Sequence, residues 1–173
     1  MTKSKKVLCF HGGSSNKDMF KEWLLPIINQ CPQYEFVFFN APVTREKPNS
    51  YYWFNKDGYK VTVDAVNEIW DDSFVGVMGM SWGSVATMLT VPYLNPQPQW
   101  AVTFISTFPQ VAFKEDLAKV QFNGSFFNIV GEKDAGENLL KGFDGEYTSH
   151  PGGHIIPTDE PSIKKVVGFI NRQ

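Results

Sequence analysis

Apolar residues along the chain occur either in short continuous runs or in longer stretches with helical spacing. A strand that is buried on both faces has no polar side, so the continuous runs predict buried strands. These runs cover six segments: 6–11, 34–39, 73–79, 100–106, 125–130 and, less clearly, 145–149. The amphipathic stretches predict four helices: 17–30, 61–70, 82–94 and 162–171. Strands that alternate with helices in this way are typical of an α/β domain, with a parallel sheet covered by helices on both faces.

The composition fits one compact domain over residues 1–173. The chain is 42% hydrophobic and 15% aromatic, with a net charge of −2, and its scattered charges indicate neither a nucleic-acid surface nor a membrane surface. The apolar run after Lys3, Lys5 and Lys6 is too short for a signal peptide or a membrane span, so we expect a soluble cytosolic protein. Cys9 and Cys31 lack metal spacing, and in that compartment two reduced thiols are favoured over a disulfide.

The segment GMSWG, residues 79–83, lies where a predicted strand ends and a predicted helix begins. A turn this tight strains the backbone of its central residue, and glycine at the flanking positions removes the steric clash. The turn would expose the Ser81 hydroxyl at the carboxyl end of the sheet and at the start of a helix, where an anion is favoured. A plain turn is the alternative, but the buried strand before the motif and the helix after it favour a nucleophile.

A serine hydroxyl needs a base to act as a nucleophile, and the chain has three histidines. In a nucleophile elbow of this type the order along the chain is nucleophile, acid, histidine. That order excludes His11 as the base and leaves its ring to support the loop after the first strand. His154 follows two glycines that can form a tight loop, and it is favoured over His150, which ends a predicted strand.

The acid of such a site should follow the strand that precedes the histidine. Asp134 lies in the loop after strand 125–130, where it would accept the proton-bearing nitrogen of His154 and select the ring tautomer. Glu132 competes with it for this role, and a solvated acidic loop without a catalytic role is the other interpretation.

Acyl transfer passes through a tetrahedral oxyanion, which backbone N–H groups stabilise. The amide of Trp82, directly after Ser81, is one expected donor, and the loop after the first strand should supply the other. Gly13 is the favoured residue in that loop and Ser14 the less favoured one.

Five short segments in this order resemble the serine hydrolase FSH family of α/β-hydrolases, which is itself similar to carboxylesterases and acyl-thioesterases. The segments are LCFHGG, GVMGMSWG, VTFISTFP, IVGEKD and HPGGHIIP. The resemblance runs from Val7 to about Phe169. It implies Ser81 as nucleophile, Asp134 as acid and His154 as base, with hydrolysis of esters or thioesters and no cofactor or metal.

This chain departs from the family pattern at several positions. Trp82 stands where relatives often have Gln, Thr107 where a glycine is usual, and the segment 134–154 is short. The chain is also shorter than most relatives. We therefore expect a minimal three-layer α/β-hydrolase fold with about six mainly parallel strands in the order 2-1-3-4-5-6 and no large lid.

The predicted loop 40–58 carries several aromatic residues and would lie beside the nucleophile. Tyr52 and Trp53 in this loop, together with Met80 and Phe108, are therefore candidate contacts of an apolar acyl or alkyl group. These rings could instead cover the core of a small domain. The expected partner is a small-molecule ester or thioester, and the oligomeric state is left open.

Other functions share these motifs. A hydrolase fold can serve as a ligand-binding or interaction module without turnover, since fold does not determine function. A peptidase or a lyase would use the same three side chains with a different pocket.

Overall fold

A computed structural model describes residues 4–44, 47–105, 107–108 and 113–173 of the chain, with only the backbone described at 107 and 108. The strands in the described part are β1 (Lys5–Phe10), β2 (Tyr34–Phe38), β3 (Val43–Thr44), β4 (Tyr51–Tyr52), β5 (Phe74–Met80), β6 (Trp100–Phe104), β7 (Thr107–Phe108), β8 (Ser125–Gly131), β9 (Glu137–Asn138) and β10 (Glu146–His150). The helices are α1 (Lys17–Ile28), α2 (Lys60–Asn67), α3 (Trp82–Thr90), α4 (Lys114–Leu117) and α5 (Glu160–Asn171), and a 3-10 turn, Val91–Tyr93, follows α3.

Six strands form one central sheet in the order β10-β8-β6-β5-β1-β2, and every neighbouring pair is parallel. Counted along the six predicted strands, this order is 2-1-3-4-5-6, which confirms the expected arrangement. Two small antiparallel pairs, β3–β4 and β7–β9, lie outside the main sheet. The carboxyl ends of β1, β5, β8 and β10 therefore meet along one edge, where the predicted site residues follow them.

Helices cover both faces of the sheet and produce two hydrophobic cores. Apolar side chains of α1 and α5 form one core, and those of α2, α3 and α4 form the other. Side chains alternate between the faces of a strand, and on β1 Val7 and Cys9 join the first core while Leu8 and Phe10 join the second. The result is the three-layer α/β architecture that the hydrophobic pattern predicts.

Several element boundaries differ from those predicted. His11 lies just beyond β1, and α1 ends at Ile28 with Pro26 in its last turn, where the missing N–H costs one hydrogen bond near the end of the helix. The last helix begins earlier than expected because the Asp159 side chain accepts the Ser162 N–H at 3.0 Å and caps it.

The segment 40–58 is not a simple loop, because it contains the antiparallel pair β3–β4. Tyr51 extends this pair towards the loop after β1: its N–H donates to the Ser15 carbonyl at 3.0 Å. None of the helices in the described part of the chain has the length and hydropathy needed to cross a bilayer.

Candidate active site

Ser81 occupies a strained turn between β5 and α3. Its φ is 54° and its ψ is −124°, a left-handed φ that residues other than glycine rarely adopt. The turn is held by the Ser81 N–H, which donates to the Phe104 carbonyl on the neighbouring strand at 2.9 Å. Ser81 is 8% exposed, so the turn presents little more than its hydroxyl at the carboxyl end of the sheet.

The two glycines of the motif permit close packing around this turn. A Cβ on Gly79 would lie 2.5 Å from Thr87 Oγ1, and one on Gly83 would lie 2.3 Å from the carbonyl oxygens of both Phe10 and His11. Real Cβ atoms do not approach so closely, so any side chain would push α3 away from β5 and β1. The Gly-x-Ser-x-Gly spacing is therefore a packing requirement of the elbow.

Three side chains from separate loops form a continuous hydrogen-bonded chain. His154 Nε2 lies 2.9 Å from Ser81 Oγ, and His154 Nδ1 lies 3.0 Å and 3.2 Å from the two carboxylate oxygens of Asp134. A carboxylate can only accept here, so Nδ1 carries the proton and Nε2 is left to accept the serine hydroxyl. The Asp134 carboxylate is nearly buried, whereas 44% of the His154 side chain is exposed, so the described residues place no large lid over it.

The acid and the histidine are held together by their backbones. The Glu132 N–H donates to the His150 carbonyl at 2.9 Å, and the Lys133 N–H donates to the Gly152 carbonyl at 3.0 Å. Gly131 makes this approach possible, because a Cβ there would lie 2.1 Å from the Gly153 carbonyl oxygen. The loop after β8 and the loop after β10 therefore behave as one unit.

The competing residues Glu132 and His150 make other contacts. The Glu132 carboxylate accepts the Ser149 hydroxyl at 3.0 Å on the exposed side of the loop. His150 is 1% exposed, its Nδ1 accepts the Gly152 N–H at 3.2 Å, and burial lowers the pKa of its imidazole. The structure thus brings Ser81, His154 and Asp134 together and uses His150 to shape the loop that carries His154.

The expected oxyanion donors, Gly13 and Trp82, lie beside each other at the elbow. A Cβ on Gly12 would lie 3.8 Å from Ser81 Cβ, and one on Gly13 would lie 2.8 Å from Cδ1 of the Trp82 ring. Ser14 has a positive φ of 57°, and its hydroxyl is hydrogen-bonded to the Tyr52 hydroxyl. The loop after β1 therefore packs directly on the nucleophile turn.

The predicted substrate contacts are distributed unevenly. Trp53 is 1% exposed and donates its indole N–H to the His11 carbonyl at 2.7 Å, so it packs in the core instead of forming an open wall. Met80 is also buried in a core cluster, while Tyr52 is half-buried and bonded to Ser14. The side chain of Phe108 lies outside the described residues.

Sequence reasoning missed a row of aromatic rings that leads away from the elbow. The Trp82 ring lies 5.7 Å from Phe54, which lies 4.6 Å from Phe113. Phe113 and Tyr59 then border a cleft of about 610 Å³ beside α2. A second cleft, of about 710 Å³, adjoins the Asp134 loop. Phe54 belongs to the aromatic run that the sequence shows, whereas only the tertiary structure brings Phe113 to it.

Side chains that could bind a metal are dispersed. Cys9 and Cys31 are free and buried, and burial raises the pKa of both thiols, that of Cys31 to about 11. Within the residues that the structure describes, there is no group of three or more His, Cys, Asp or Glu side chains placed to hold a metal ion.

This chain is similar in sequence to serine hydrolases and esterases and similar in fold to an esterase. A family model described as Serine hydrolase (FSH1) matches residues 1–166. The chain is 29% identical to Esterase AGAP003155 of Anopheles gambiae, over 97% of this chain and 77% of that protein. It is 24% identical to Esterase CG5412 of Drosophila melanogaster, over 98% and 74%. The crystal structure of esterase PE8 superposes with a TM-score of 0.75 at 19% identity, covering 98% of this chain and 92% of that one, which shows a shared fold.

Proposed function

Because the chain belongs to the Serine hydrolase (FSH1) family, we propose that it hydrolyses carboxylic ester or thioester bonds through an acyl-serine intermediate on Ser81. The hydrogen-bonded chain from Ser81 through His154 to Asp134 is the observation that carries this proposal. Relatives named as esterases support an ester as the substrate.

In the first half of the reaction, Ser81 Oγ attacks the substrate carbonyl while His154 Nε2 takes its proton. Asp134 accepts the hydrogen bond from Nδ1–H and stabilises the imidazolium that forms. The backbone N–H groups of Gly13 and Trp82 stabilise the oxyanion. His154 then returns the proton to the leaving alcohol or thiol, and the acyl group stays on Ser81.

In the second half, a water molecule replaces the leaving group. His154 takes a proton from this water as it attacks the acyl-serine, and the same two amides stabilise the second oxyanion. Proton return to Ser81 Oγ releases the carboxylic acid. No cofactor is required at either step.

The open site favours small or acyl-chain substrates. His154 is 44% exposed, and the half-buried rings of Tyr52 and Phe54 lie on the same side as the oxyanion loop and Trp82. Such rings suit an apolar acyl or alkyl group.

The cytosolic location expected from the sequence stays part of this proposal, and subcellular fractionation tests it.

The second candidate is an interaction module that keeps the fold without turnover. Its support is the short connection between Asp134 and His154, a described segment in which the structure has β9 and β10 but no helix. The continuous hydrogen-bonded chain of Ser81, His154 and Asp134 favours the enzyme.

Labelling with a fluorophosphonate probe, followed by mapping of the modified peptide, tests the proposal. We expect one modified residue, Ser81, and no labelling of Ser81→Ala. The matched control is Ser125→Ala, because Ser125 is an exposed serine at the opposite end of the sheet and should not affect labelling. Ester and thioester series of rising acyl length would then identify the preferred substrate. A folded wild-type protein that is not labelled would favour the interaction module.

A further inference from the structure

His11 is fully buried next to the elbow and has a hydrogen-bond partner on both ring nitrogens. Its Nε2 lies 3.0 Å from the backbone N of Ala41, and its Nδ1 lies 2.6 Å from the carbonyl oxygen of Gly12. Its ring also packs against Trp53, with centroids 4.8 Å apart. The proposed reaction steps give His11 no part in proton transfer, so these contacts need another explanation.

The two partners determine the tautomer of the ring. A backbone N–H can only donate, so Nε2 must be the unprotonated, accepting nitrogen. A carbonyl oxygen can only accept, so Nδ1 must carry the proton that it donates to Gly12. A second proton on the ring would be on Nε2, where it would face the Ala41 N–H and remove the acceptor of that N–H. Consistently, burial lowers the pKa of His11 to about 4, although the Gly12 hydrogen bond opposes this.

The Gly12 carbonyl belongs to the same peptide unit as the Gly13 N–H. This peptide is trans, so its C=O and N–H point in opposite directions. His11 holds the carbonyl on its own side, and Ser81 and Trp82 pack against Gly12 and Gly13. We propose that His11 is a positioning residue that prevents the Gly12–Gly13 peptide from flipping and so directs the Gly13 N–H to the oxyanion.

Described residues of the segment 40–58 limit where the His11 ring can lie. The Ala41 N–H fixes Nε2, and the Trp53 indole N–H donates to the His11 carbonyl at 2.7 Å. Further along the oxyanion loop, the Tyr52 hydroxyl bonds to Ser14 and the Asn16 side chain donates to the Asn49 carbonyl at 3.0 Å. Residues of this segment thus act on the reaction through the oxyanion loop as well as through any contact with substrate.

This role rests on the proposed function, and two substitutions of His11 separate its two hydrogen bonds. The amide nitrogen of Asn can occupy the position of Nδ1, so His11→Asn keeps the donor to Gly12 and loses the acceptor for Ala41. The amide oxygen of Gln can occupy the position of Nε2, so His11→Gln keeps the acceptor and loses the donor to Gly12.

The measurement is kcat and KM for an activated ester, with Tm, in both variants. Removal of an oxyanion donor lowers kcat by about 100-fold to 1,000-fold. In His11→Gln the Gly13 N–H is still present but is no longer held in position, so kcat should fall by about 10-fold to 100-fold with little change in KM. His11→Asn should keep kcat within about 3-fold of wild type. Its Tm should be lower than that of wild type, because the buried Ala41 N–H then has no acceptor. The rate of phosphonylation of Ser81 should follow the same order.

Val7→Ala is the stability control, because Val7 is buried in β1 and lies five residues before Gly12 in the chain. It should lower Tm and leave kcat unchanged. Equal activity of the two His11 variants, or activity that simply follows Tm across all three, would overturn the positioning role. Turnover or labelling of wild type that depends on Ser81 supports the proposed function whatever the His11 variants do.

Discussion

Ser81 lies in an elbow packed between β5 and α3, whereas His154 lies on an exposed loop that is hydrogen-bonded to the Asp134 loop. Steric contacts that reach only a few ångströms hold the elbow: Gly79 against Thr87, and Gly83 against the carbonyl oxygens of β1 and His11. The histidine loop depends on residues about 20 positions apart that meet at Gly131 and Gly153. One half of the site is therefore packed in the core, and we expect substitutions in the other half to affect catalysis more than stability.

The largest expected effect separates the two histidines of the exposed loop. His154→Ala should lower kcat by roughly 10,000-fold, because it removes the general base. It should cost little stability, because the His154 side chain is 44% exposed. His150→Ala should instead lower stability, since it empties a buried site and removes the acceptor of the Gly152 N–H. Steady-state kinetics and chemical unfolding of both variants check this. A larger loss of kcat in His150→Ala would exchange their roles.

Alanine at two glycines compares the elbow and the loop directly. Gly83→Ala should cost about 3 kcal/mol of unfolding free energy, because the new Cβ would overlap two carbonyl oxygens of the core. Gly131→Ala should reduce kcat more than stability, because the loops can part and carry His154 away from Ser81. Gly142→Ala is the control, since a Cβ at that position meets nothing within 4 Å. Unfolding of both variants to the same extent would contradict the difference drawn between the regions.

A dependence of stability on pH, similar in size to the effect of Gly83→Ala, should arise mainly from His11 beside the elbow. In the unfolded chain an imidazole binds its proton near pH ~6.5, whereas burial lowers the pKa of folded His11 to about 4. Between these values the unfolded state holds more protons, so stability is complete above about pH 6.5 and is lost as pH falls towards 4. The loss from His11 should approach about 3 kcal/mol, and His150, whose pKa burial also lowers, acts in the same direction.

Denaturant unfolding at pH 7.5, 6, 5 and 4.5 would measure this slope. These values of pH extend from above the pKa of an imidazole in the unfolded chain to just above the pKa of folded His11. A flat stability profile across the window would show that His11 can be protonated in place, and the tautomer inferred for its ring would then be wrong.

The sheet and the elbow could be predicted from the sequence because their causes are local. A buried strand needs a continuous apolar run, and a strained turn needs glycines beside it, so both leave a pattern within a few residues. The elements that were not predicted, β3, β4, β7, β9 and α4, span two to four residues and are too short for any periodicity to show.

The sequence by itself determined the alternation of strands and helices, the position of Ser81 in the elbow, and a short list of partners for it, and the family resemblance added the strand order. Only the tertiary structure shows that His154, and not His150 four residues before it, is hydrogen-bonded to Ser81, and that Asp134, and not Glu132, is hydrogen-bonded to His154. The tertiary structure also buries Trp53 in the core, although the sequence indicated a substrate contact, and it gives each ring nitrogen of His11 a hydrogen-bond partner. The physical reason is that the steric limits on a turn come from its neighbours in the chain. Burial and hydrogen bonding instead depend on atoms that only folding brings near.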